Sequence, residues 1–231
     1  MALIINIETA TTACSVSLAK DGKVIACKEQ NGEYSHAENL TLFIQDVFIQ
    51  SRINLKDIDA VAVSMGPGSY TGLRIGVSVA KGLCYSLDKP LIAVNTLQHL
   101  ALSVSSQKEF DKNEKNNLFC PMIDARRMEV YYSMFDIANK EVMPIAAEVI
   151  DENSFADLLL DHTIYFFGNG AKKCEELLAP NKNAFFINNV QLSANNMVSL
   201  SYKAFINNAF EDVSLFEPFY LKDFLIKKPK L

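Results

Sequence analysis

Residues 64–83 are SMGPGSYTGLRIGVSVAKGL and hold five of the nine glycines in the 231-residue chain. A phosphate-binding loop would need a second glycine five residues after Gly66 or Gly68. Those positions hold Thr71 and Leu73, and Thr71 also stands where a dinucleotide-binding loop would need its last glycine. The glycines therefore serve another purpose than binding a phosphate.

The same stretch predicts a strand, a turn and a helix. The apolar run before Gly66 is typical of a buried strand, and the Gly-Pro-Gly sequence that follows predicts a turn. Ser69 is a favourable N-cap residue, so we expect the helix to begin near Tyr70.

Small residues occupy one side of this predicted helix. Gly72, Gly76 and Ala80 are spaced by four residues and therefore lie along the same side. Because glycine costs a helix about 1 kcal/mol relative to alanine, the two glycines indicate close packing against another backbone. Apolar and small residues cover roughly 220° of the helix circumference. A helix that packs on a single core needs an apolar stripe of little more than 100°. We expect this helix to be covered on two sides, one of them by a partner; the alternative is a helix buried wholly in its own domain.

A second apolar feature lies on the helix predicted for residues 35–52. Leu42 and Ile49 are a heptad apart and fall opposite the main apolar stripe of that helix. Isolated exposed apolar residues are common, but two in register beside another over-apolar helix indicate a surface for a partner.

Composition narrows the class of protein. With 49% hydrophobic and 21% charged residues, the chain matches ordinary soluble globular proteins. The net charge of −5 argues against broad electrostatic capture of nucleic acid by this chain alone. No signal peptide or membrane span is predicted, and the five scattered cysteines are typical of reduced thiols, so the expected location is the cytoplasm.

The order of the predicted elements is duplicated. Three β-rich runs open the chain and are followed by alternating helices and strands, and a second set of strands and helices follows the polar residues 103–117. This order predicts an α/β fold with two lobes, of the actin-like ATPase (ribonuclease H-like) type, with mixed sheets flanked by helices. The expected domains are a first lobe at 1–104, a smaller second lobe at 105–192, and a helix and tail at 193–231 that return to the first lobe.

Three motifs together resemble the TsaB (YeaZ) family. They are NIETATTACSVSL at 6–18, the glycine-rich stretch at 64–83, and MIDARRMEVYY at 122–132. HAENL at 36–40, GNGA at 168–171 and EPFYLKD at 217–223 extend the similarity over nearly the whole chain. The resemblance implies a non-catalytic dimerisation subunit that supports a TsaD-like catalytic subunit in forming N6-threonylcarbamoyladenosine at position 37 of tRNA.

The resemblance also implies partners and an interface. A TsaE-like ATPase is the further partner, the chain forms a homodimer when alone, tRNA is contacted only indirectly, and no membrane is involved. In the family, the first helix and the glycine-rich helix form a bundle with the matching helices of the partner. The implied interface residues are His36, Leu42, Ile49, Tyr70, Gly72, Leu73, Gly76, Val77 and Ala80.

The resemblance further bears on metal and nucleotide. The larger TsaD relative holds a metal with histidines at i and i+4, and no two of His36, His99 and His162 have that spacing. We therefore expect no metal and no catalytic set, and no cofactor beyond ATP or ADP bound in the complex. The residues that would border a remnant of the superfamily's nucleotide cleft are Glu8, Thr9, Thr11, Gly168 and Gly170. The alternative is that these residues form only a hairpin connection and a strand-to-helix turn.

The sequence departs from the family in two places and leaves two other functions open. Glu8 stands where the family usually has Asp, and Arg127-Met128 replaces the usual Met-Gly. The first alternative function is that of a small-molecule kinase of the actin-like superfamily, and the second is a self-contained homodimeric scaffold.

The basic tail, with Lys222, Lys227, Lys228 and Lys230, is expected to be a solvated terminus, although a contact with tRNA stays open.

Overall fold

A computed structural model of the chain describes residues 1–32, 36–110 and 116–222, without the side chains of His36 and Ala37. Ten strands and six helices are formed in this part of the chain. The strands are β1 Leu3–Glu8, β2 Ala13–Lys20, β3 Lys23–Asn31, β4 Ala60–Gly66, β5 Leu91–Asn95, β6 Asn117–Asp124, β7 Glu129–Phe135, β8 Glu141–Val149, β9 Thr163–Phe167 and β10 Ala184–Ile187. The helices are α1 His36–Ser51, α2 Tyr70–Leu87, α3 Thr96–Ser105, α4 Leu158–Asp161, α5 Glu175–Leu178 and α6 Ala194–Ile206.

The strands form two five-stranded sheets with the same topology. The first has the order β3-β2-β1-β4-β5, with β1, β2 and β3 antiparallel and β4 and β5 parallel to β1. The second has the order β8-β7-β6-β9-β10, and its pairs alternate in the same way. The structure therefore confirms the predicted duplication and the two-lobed α/β fold.

Helices cover both faces of the first sheet, which is why every residue of β1 is buried. On one face, Leu40 and Val47 of α1 and Val77 of α2 pack on the apolar side chains of β1 and β4. On the other face, Met197 of α6 packs on Ile4 and Ile92. This arrangement places α1 and α2 side by side on one outer surface of the lobe.

A further apolar cluster joins the two lobes. Leu97 and Leu100 of α3 pack in it with Phe119 of β6 and Phe167 of β9. The cluster also contains Leu73 of α2 and the residues that connect β1 to β2. The space between the sheets beside α3 is therefore filled by core side chains.

Several element boundaries differ from the sequence-based expectation. The residue pattern predicts a last helix over 194–210, but α6 ends at Ile206; it also predicts a helix around 154–160, where the structure has only the single turn of α4. The strand β10 and the helix α5 were not predicted at all. In the part of the chain that the structure describes, no helix is long and apolar enough to cross a membrane.

Candidate functional site

The helix α2 begins as predicted, because Ser69 Oγ accepts a hydrogen bond from the backbone N–H of Gly72 at 3.3 Å. Its glycines, however, face this chain and not a partner. A Cβ atom added to Gly72 would lie 2.1 Å from the carbonyl oxygen of Thr9, and one added to Gly76 would lie 2.2 Å from Thr9 Oγ1. The expectation that these two glycines admit a partner helix is therefore wrong, since the backbone that approaches them is the β1–β2 connection.

Three further residues of the implied interface are also buried inside the lobe. Leu73, Val77 and Ala80 lie on the inner side of α2 together with the glycines. They cannot contribute contact area to a partner while the lobe is folded, so their assignment to the interface is wrong as well. The sequence pattern located a close contact correctly but gave no information about which segment makes it.

The second side of α2 is covered in part by residues 211–222 of the same chain. Lys81 Nζ donates hydrogen bonds to the carbonyl oxygens of Ser214 at 3.1 Å and Phe216 at 2.9 Å. The backbone N–H of Phe219 donates to the carbonyl oxygen of Met65 at 2.8 Å. We call residues 211–222 the C-terminal strap, because they run across α2 and account for much of its two-sided apolar character.

Tyr70, at the start of α2, lies under the strap and not on a free surface. Its ring centroid is 4.9 Å from that of Tyr220, and the guanidinium of Arg74 lies 4.3 Å from the centroid of the Tyr70 ring. Arg74 Nε also donates a hydrogen bond to the Tyr220 hydroxyl at 3.1 Å. Tyr70 is thus held in an aromatic and cationic cluster within the chain and is half-buried.

The two remaining apolar residues of the implied interface are exposed. The side chains of Leu42 and Ile49 on α1 are 54% and 66% exposed. Beside Ile49 lies an open cavity of about 500 Å³ that is lined mainly by apolar side chains. Its lining residues are Thr41, Ile44, Gln45, Phe48, Ile49, Ile53 and Leu55. We call Leu42, Ile49 and this cavity the α1 surface; the side chain of His36, at the start of the same helix, lies outside the described residues.

Glu8, the residue expected at a nucleotide cleft, is fully buried and has partners inside the protein. Its Oε1 accepts a hydrogen bond from the backbone N–H of Ala10 at 2.5 Å, and its Oε2 lies 2.6 Å from Nε2 of His99. The His99 side chain is also fully buried, and its Nδ1 has no hydrogen-bond partner in the described structure. No pattern in the sequence links Glu8 to His99, since the only signal is one titratable residue in each of two apolar elements.

The other residues expected at the cleft are likewise engaged in packing. Thr9 donates its hydroxyl hydrogen to the carbonyl oxygen of Gly72 at 2.8 Å, and Thr11 Oγ1 accepts from the N–H of Ala13 at 3.3 Å. A Cβ atom on Gly168 would lie 2.4 Å from the Met122 carbonyl oxygen, and one on Gly170 would lie 2.8 Å from the Ile123 carbonyl carbon. These contacts hold the β1–β2 connection and the segment after β9 against the core, so the residues do not fit a nucleotide phosphate or its magnesium ion.

The two histidine side chains that the structure describes lie in different surroundings. His99 is bound to Glu8, and Nδ1 of His162 is buried without a hydrogen-bond partner among the described residues. Among the described residues, no three His, Cys, Asp or Glu side chains are grouped so that they could hold a metal ion. The side chains present therefore do not fit the paired-histidine metal site of the larger relatives.

The buried thiols are poor nucleophiles. Burial raises the pKa of Cys14 to about 11, with a smaller effect from the charge of Glu8, and burial raises the pKa of Cys84 to about 11. Burial also raises the pKa of the fully buried Cys120 well above its usual range. Because the thiolate is the reactive form, none of these three cysteines is suited to nucleophilic catalysis at neutral pH.

Comparison with known proteins places the chain in a family. The family model described as TsaD, tRNA N6-adenosine threonylcarbamoyltransferase, matches residues 30–227. The tRNA threonylcarbamoyladenosine biosynthesis protein TsaB of Escherichia coli is 39% identical over 132 residues, which cover 57% of this chain and 54% of that protein. The TsaB protein of Haemophilus influenzae is 33% identical over 130 residues, covering 56% and 52%. The matched region thus spans about half the length of each relative.

A solved structure agrees with the fold over nearly the whole chain. It is a Pseudomonas aeruginosa protein described as uncharacterized with similarity to the peptidase YeaZ, and it superposes with a TM-score of 0.81 at 24% identity, covering 96% of this chain and all of that one. The matching family model covers most of the chain. The chain therefore belongs to the family that this model describes, TsaD, tRNA N6-adenosine threonylcarbamoyltransferase, and it is similar to proteins named TsaB and YeaZ.

Proposed function

We propose that this protein is a non-catalytic accessory subunit in the formation of N6-threonylcarbamoyladenosine at position 37 of tRNA. The observation that carries the proposal is the state of Glu8. At the position where the superfamily places an acidic residue for the metal at the nucleotide phosphates, both carboxylate oxygens of Glu8 are buried and bound by Ala10 and His99. A subunit of this family whose cleft residues serve packing is best explained as a support for a partner that performs the chemistry.

The partner we propose is a TsaD-like catalytic subunit, since the TsaD family model matches this chain and the TsaB relatives are named for the same modification. A TsaE-like ATPase is the further partner, and any ATP or ADP would be held by the assembled complex and not by the cleft residues of this chain alone. In the absence of the catalytic subunit the chain pairs with itself through the same surface. A role in tRNA modification also leads us to propose that the protein acts in the cytoplasm.

The α1 surface is the proposed place of contact. Leu42 and Ile49 project from α1 on a side that no other described element covers, with exposed fractions of 54% and 66%. The adjoining cavity, of about 500 Å³, can receive apolar side chains from a partner helix. Burying these groups removes apolar area from water, which is the main favourable contribution in most associations. The inner residues of α2 act indirectly, by fixing the position of α1 on the sheet.

The test replaces the apolar side chains of the α1 surface by charges, as Leu42→Glu with Ile49→Lys. A matched control exists in the second lobe, where Val149 and Leu160 are 66% and 76% exposed and accept the same pair of changes, Val149→Glu with Leu160→Lys. Affinity for the TsaD-like partner and self-association are measured by sedimentation, with melting temperatures recorded for all variants. We expect the α1 variant to bind at least tenfold more weakly, because unpaired charges would be buried in the contact.

The control variant should bind as the parent does, since exposed positions usually tolerate substitution within about 0.5 kcal/mol. A folded α1 variant that still binds the partner like the parent would show that the interface lies elsewhere. If the parent self-associates but never binds a TsaD-like protein, the accessory function is wrong and the self-contained scaffold is correct. Tight binding of ATP to the chain alone would instead favour the kinase.

A further inference from the structure

The connection between β6 and β7 has an unusual backbone. Arg126 and Arg127 are consecutive and both adopt the left-handed conformation, with φ angles of 70° and 49°. Residues other than glycine, asparagine and aspartate rarely adopt this conformation, because Cβ approaches the following carbonyl oxygen. Both arginine side chains are exposed, so no buried contact explains the choice of residue. We call residues 125–128 the arginine turn.

Lys173 holds this turn in place through contacts with its backbone and with Asp124. Its Nζ contacts the Asp124 carboxylate and donates hydrogen bonds to the carbonyl oxygens of Arg127 at 2.8 Å and Glu129 at 2.7 Å. The backbone N–H of Arg126 donates to Asp124 Oδ1 at 2.8 Å. These contacts fix the backbone on both sides of the tip. They also bind the Asp124 carboxylate to groups of the turn and to Lys173, so its charge is not available to the arginine side chains. The unfavourable conformation is therefore enforced by its surroundings, a pattern found at functional sites.

The acidic groups at the arginine turn are paired with lysines, whereas its two arginines are not paired. Glu129 is paired with Lys222, as Asp124 is with Lys173, so both acidic groups are already neutralised. Within the described residues, neither Arg126 nor Arg127 has a side-chain hydrogen bond or ion pair. Burial raises the pKa of the Tyr131 hydroxyl; the nearby charges of Lys222 and Arg126 lower it, and that of Glu129 raises it. A chain of net charge −5 thus presents two free guanidinium groups at one fixed tip.

We propose that the arginine turn binds the phosphate backbone of RNA, a proposal that rests on the function assigned above. A guanidinium group matches a phosphate with two parallel hydrogen bonds, and it keeps its charge at all physiological pH values. Many of the hydrogen bonds between proteins and nucleic acids run from arginine and lysine side chains to phosphate oxygens, where they fix the position of the protein on the nucleic acid. The tip itself consists of two charged side chains, so its chemistry fits a phosphate backbone better than it fits an acidic segment of another protein.

The proposal changes the expectation that tRNA is contacted only through the partner. The negative net charge still argues against independent capture of RNA, and two guanidinium groups supply at most a few phosphate contacts. The turn therefore adds to the RNA affinity of the assembled complex. It also positions the RNA on the second lobe, whereas the proposed protein contact uses α1 on the first lobe.

The test variant is Arg126→Asn with Arg127→Asn, since asparagine tolerates the left-handed conformation and carries no charge. The matched control is Arg52→Asn with Lys56→Gln: Arg52 is also exposed, also left-handed at a φ of 57°, and lies with the exposed Lys56 on the first lobe. Both variants remove two positive charges. Each is assembled with the TsaD-like subunit, and binding of an unmodified tRNA transcript is followed by fluorescence anisotropy at several salt concentrations.

We expect the arginine-turn variant to bind the transcript about tenfold more weakly at low salt. The slope of log affinity against log salt should decrease by about 1.4 to 1.8, the value for two lost phosphate contacts. The control should keep the parent's slope of log affinity against log salt. The variant Arg126→Lys with Arg127→Lys should keep most of that slope, because both positive charges remain. Sedimentation before each titration shows whether the complex has formed.

A parent chain that does not bind the TsaD-like subunit counts against the proposed function; the titration is then performed on the chain alone at low salt, where binding is weak but should still be weaker in the arginine-turn variant than in the control. An unchanged slope in the arginine-turn variant overturns the proposal, and so does an equal loss in the control, because net charge and not the turn would then decide binding. Affinity of the parent for poly-glutamate that exceeds its affinity for the transcript, and that the variant loses, would assign the turn to an acidic protein partner instead.

Discussion

Nε2 of His99 lies 2.6 Å from Oε2 of Glu8, and neither side chain is accessible to solvent. The two residues come from different elements, since Glu8 ends β1 and His99 lies in α3. Glu8 has one other partner, the backbone N–H of Ala10. The pair therefore joins the end of the central strand to the helix that lies between the two sheets.

Replacing His99 by leucine should lower the free energy of unfolding by about 3 kcal/mol, because the buried Glu8 carboxylate then keeps only the Ala10 N–H. Adding Glu8→Gln should restore at least about 1 kcal/mol, since a neutral amide costs less to bury than a carboxylate. Urea unfolding of the parent, the two single variants and the double variant measures the coupling. Strictly additive losses would show that the two side chains do not stabilise each other.

Gly76→Ala should destabilise the lobe by about 1 to 3 kcal/mol, because the new Cβ atom would lie 2.2 Å from Thr9 Oγ1. Adding Thr9→Ala removes that oxygen, and the next atom is Thr9 Cβ at 3.4 Å, which is ordinary contact. The double variant should therefore lose less than the sum of the single losses, as measured by thermal unfolding. Sedimentation should show unchanged association for every folded variant; a stable Gly76→Ala protein with impaired association would return the glycines to the interface.

Stability should fall as pH rises from 9 to 11, and Cys84 should contribute to the fall. Burial raises the pKa of Cys84 from 9.0 to about 11, so between these values the unfolded chain loses a proton that the folded chain retains. The contribution is complete below pH 9 and disappears as pH passes 11. Unfolding free energies at pH 8 and pH 10.5 should differ less in Cys84→Ala than in the parent. An identical pH dependence in both proteins would contradict the assignment.

The C-terminal strap should loosen when its anchor is removed. Lys81→Met removes the donors to the carbonyl oxygens of Ser214 and Phe216 but keeps the apolar stem, so we expect a loss of about 1 kcal/mol confined to this region. Limited proteolysis within residues 211–222 should become about fivefold faster. Lys56→Met, at an exposed position of the first lobe, serves as the control. Equal cleavage rates in the parent and both variants would show that Lys81 does not hold the strap.

Much of the fold could be predicted from sequence because the local signals agree with the global structure. The alternation of apolar runs and turn residues identified β1 to β9 and their duplicated order, and Ser69 marked the first turn of α2. β10 was missed because it is only four residues long and only half-buried, so neither its length nor its pattern separates it from a loop.

The candidate interface on α1 and α2 was only partly predictable, because sequence patterns do not encode which distant segment covers a helix. A stripe of small residues reports that a backbone comes close, but Thr9 lies 63 positions before Gly72, and no local pattern encodes that pairing. The same holds for α2 and the strap, since Lys81 bonds to residues more than 130 positions later. Leu42 and Ile49 were placed correctly on the outside of α1 because helical periodicity alone determines their direction. Whether a partner covers them is not a property of one chain, and it stays a prediction.

The position of α6 has a consequence for the order in which a newly made chain can fold. Its backbone N–H at Ala194 donates to Ser15 Oγ at 2.9 Å, and Ser201 Oγ donates to Asn6 Oδ1 at 2.6 Å, so α6 completes one face of the first sheet. All strands of the second sheet leave the ribosome before α6 does, since they end at Ile187. The first lobe therefore receives its last covering helix only after the strands of the second lobe have been synthesised, and until then the α6 side of its apolar strands is open to chaperones.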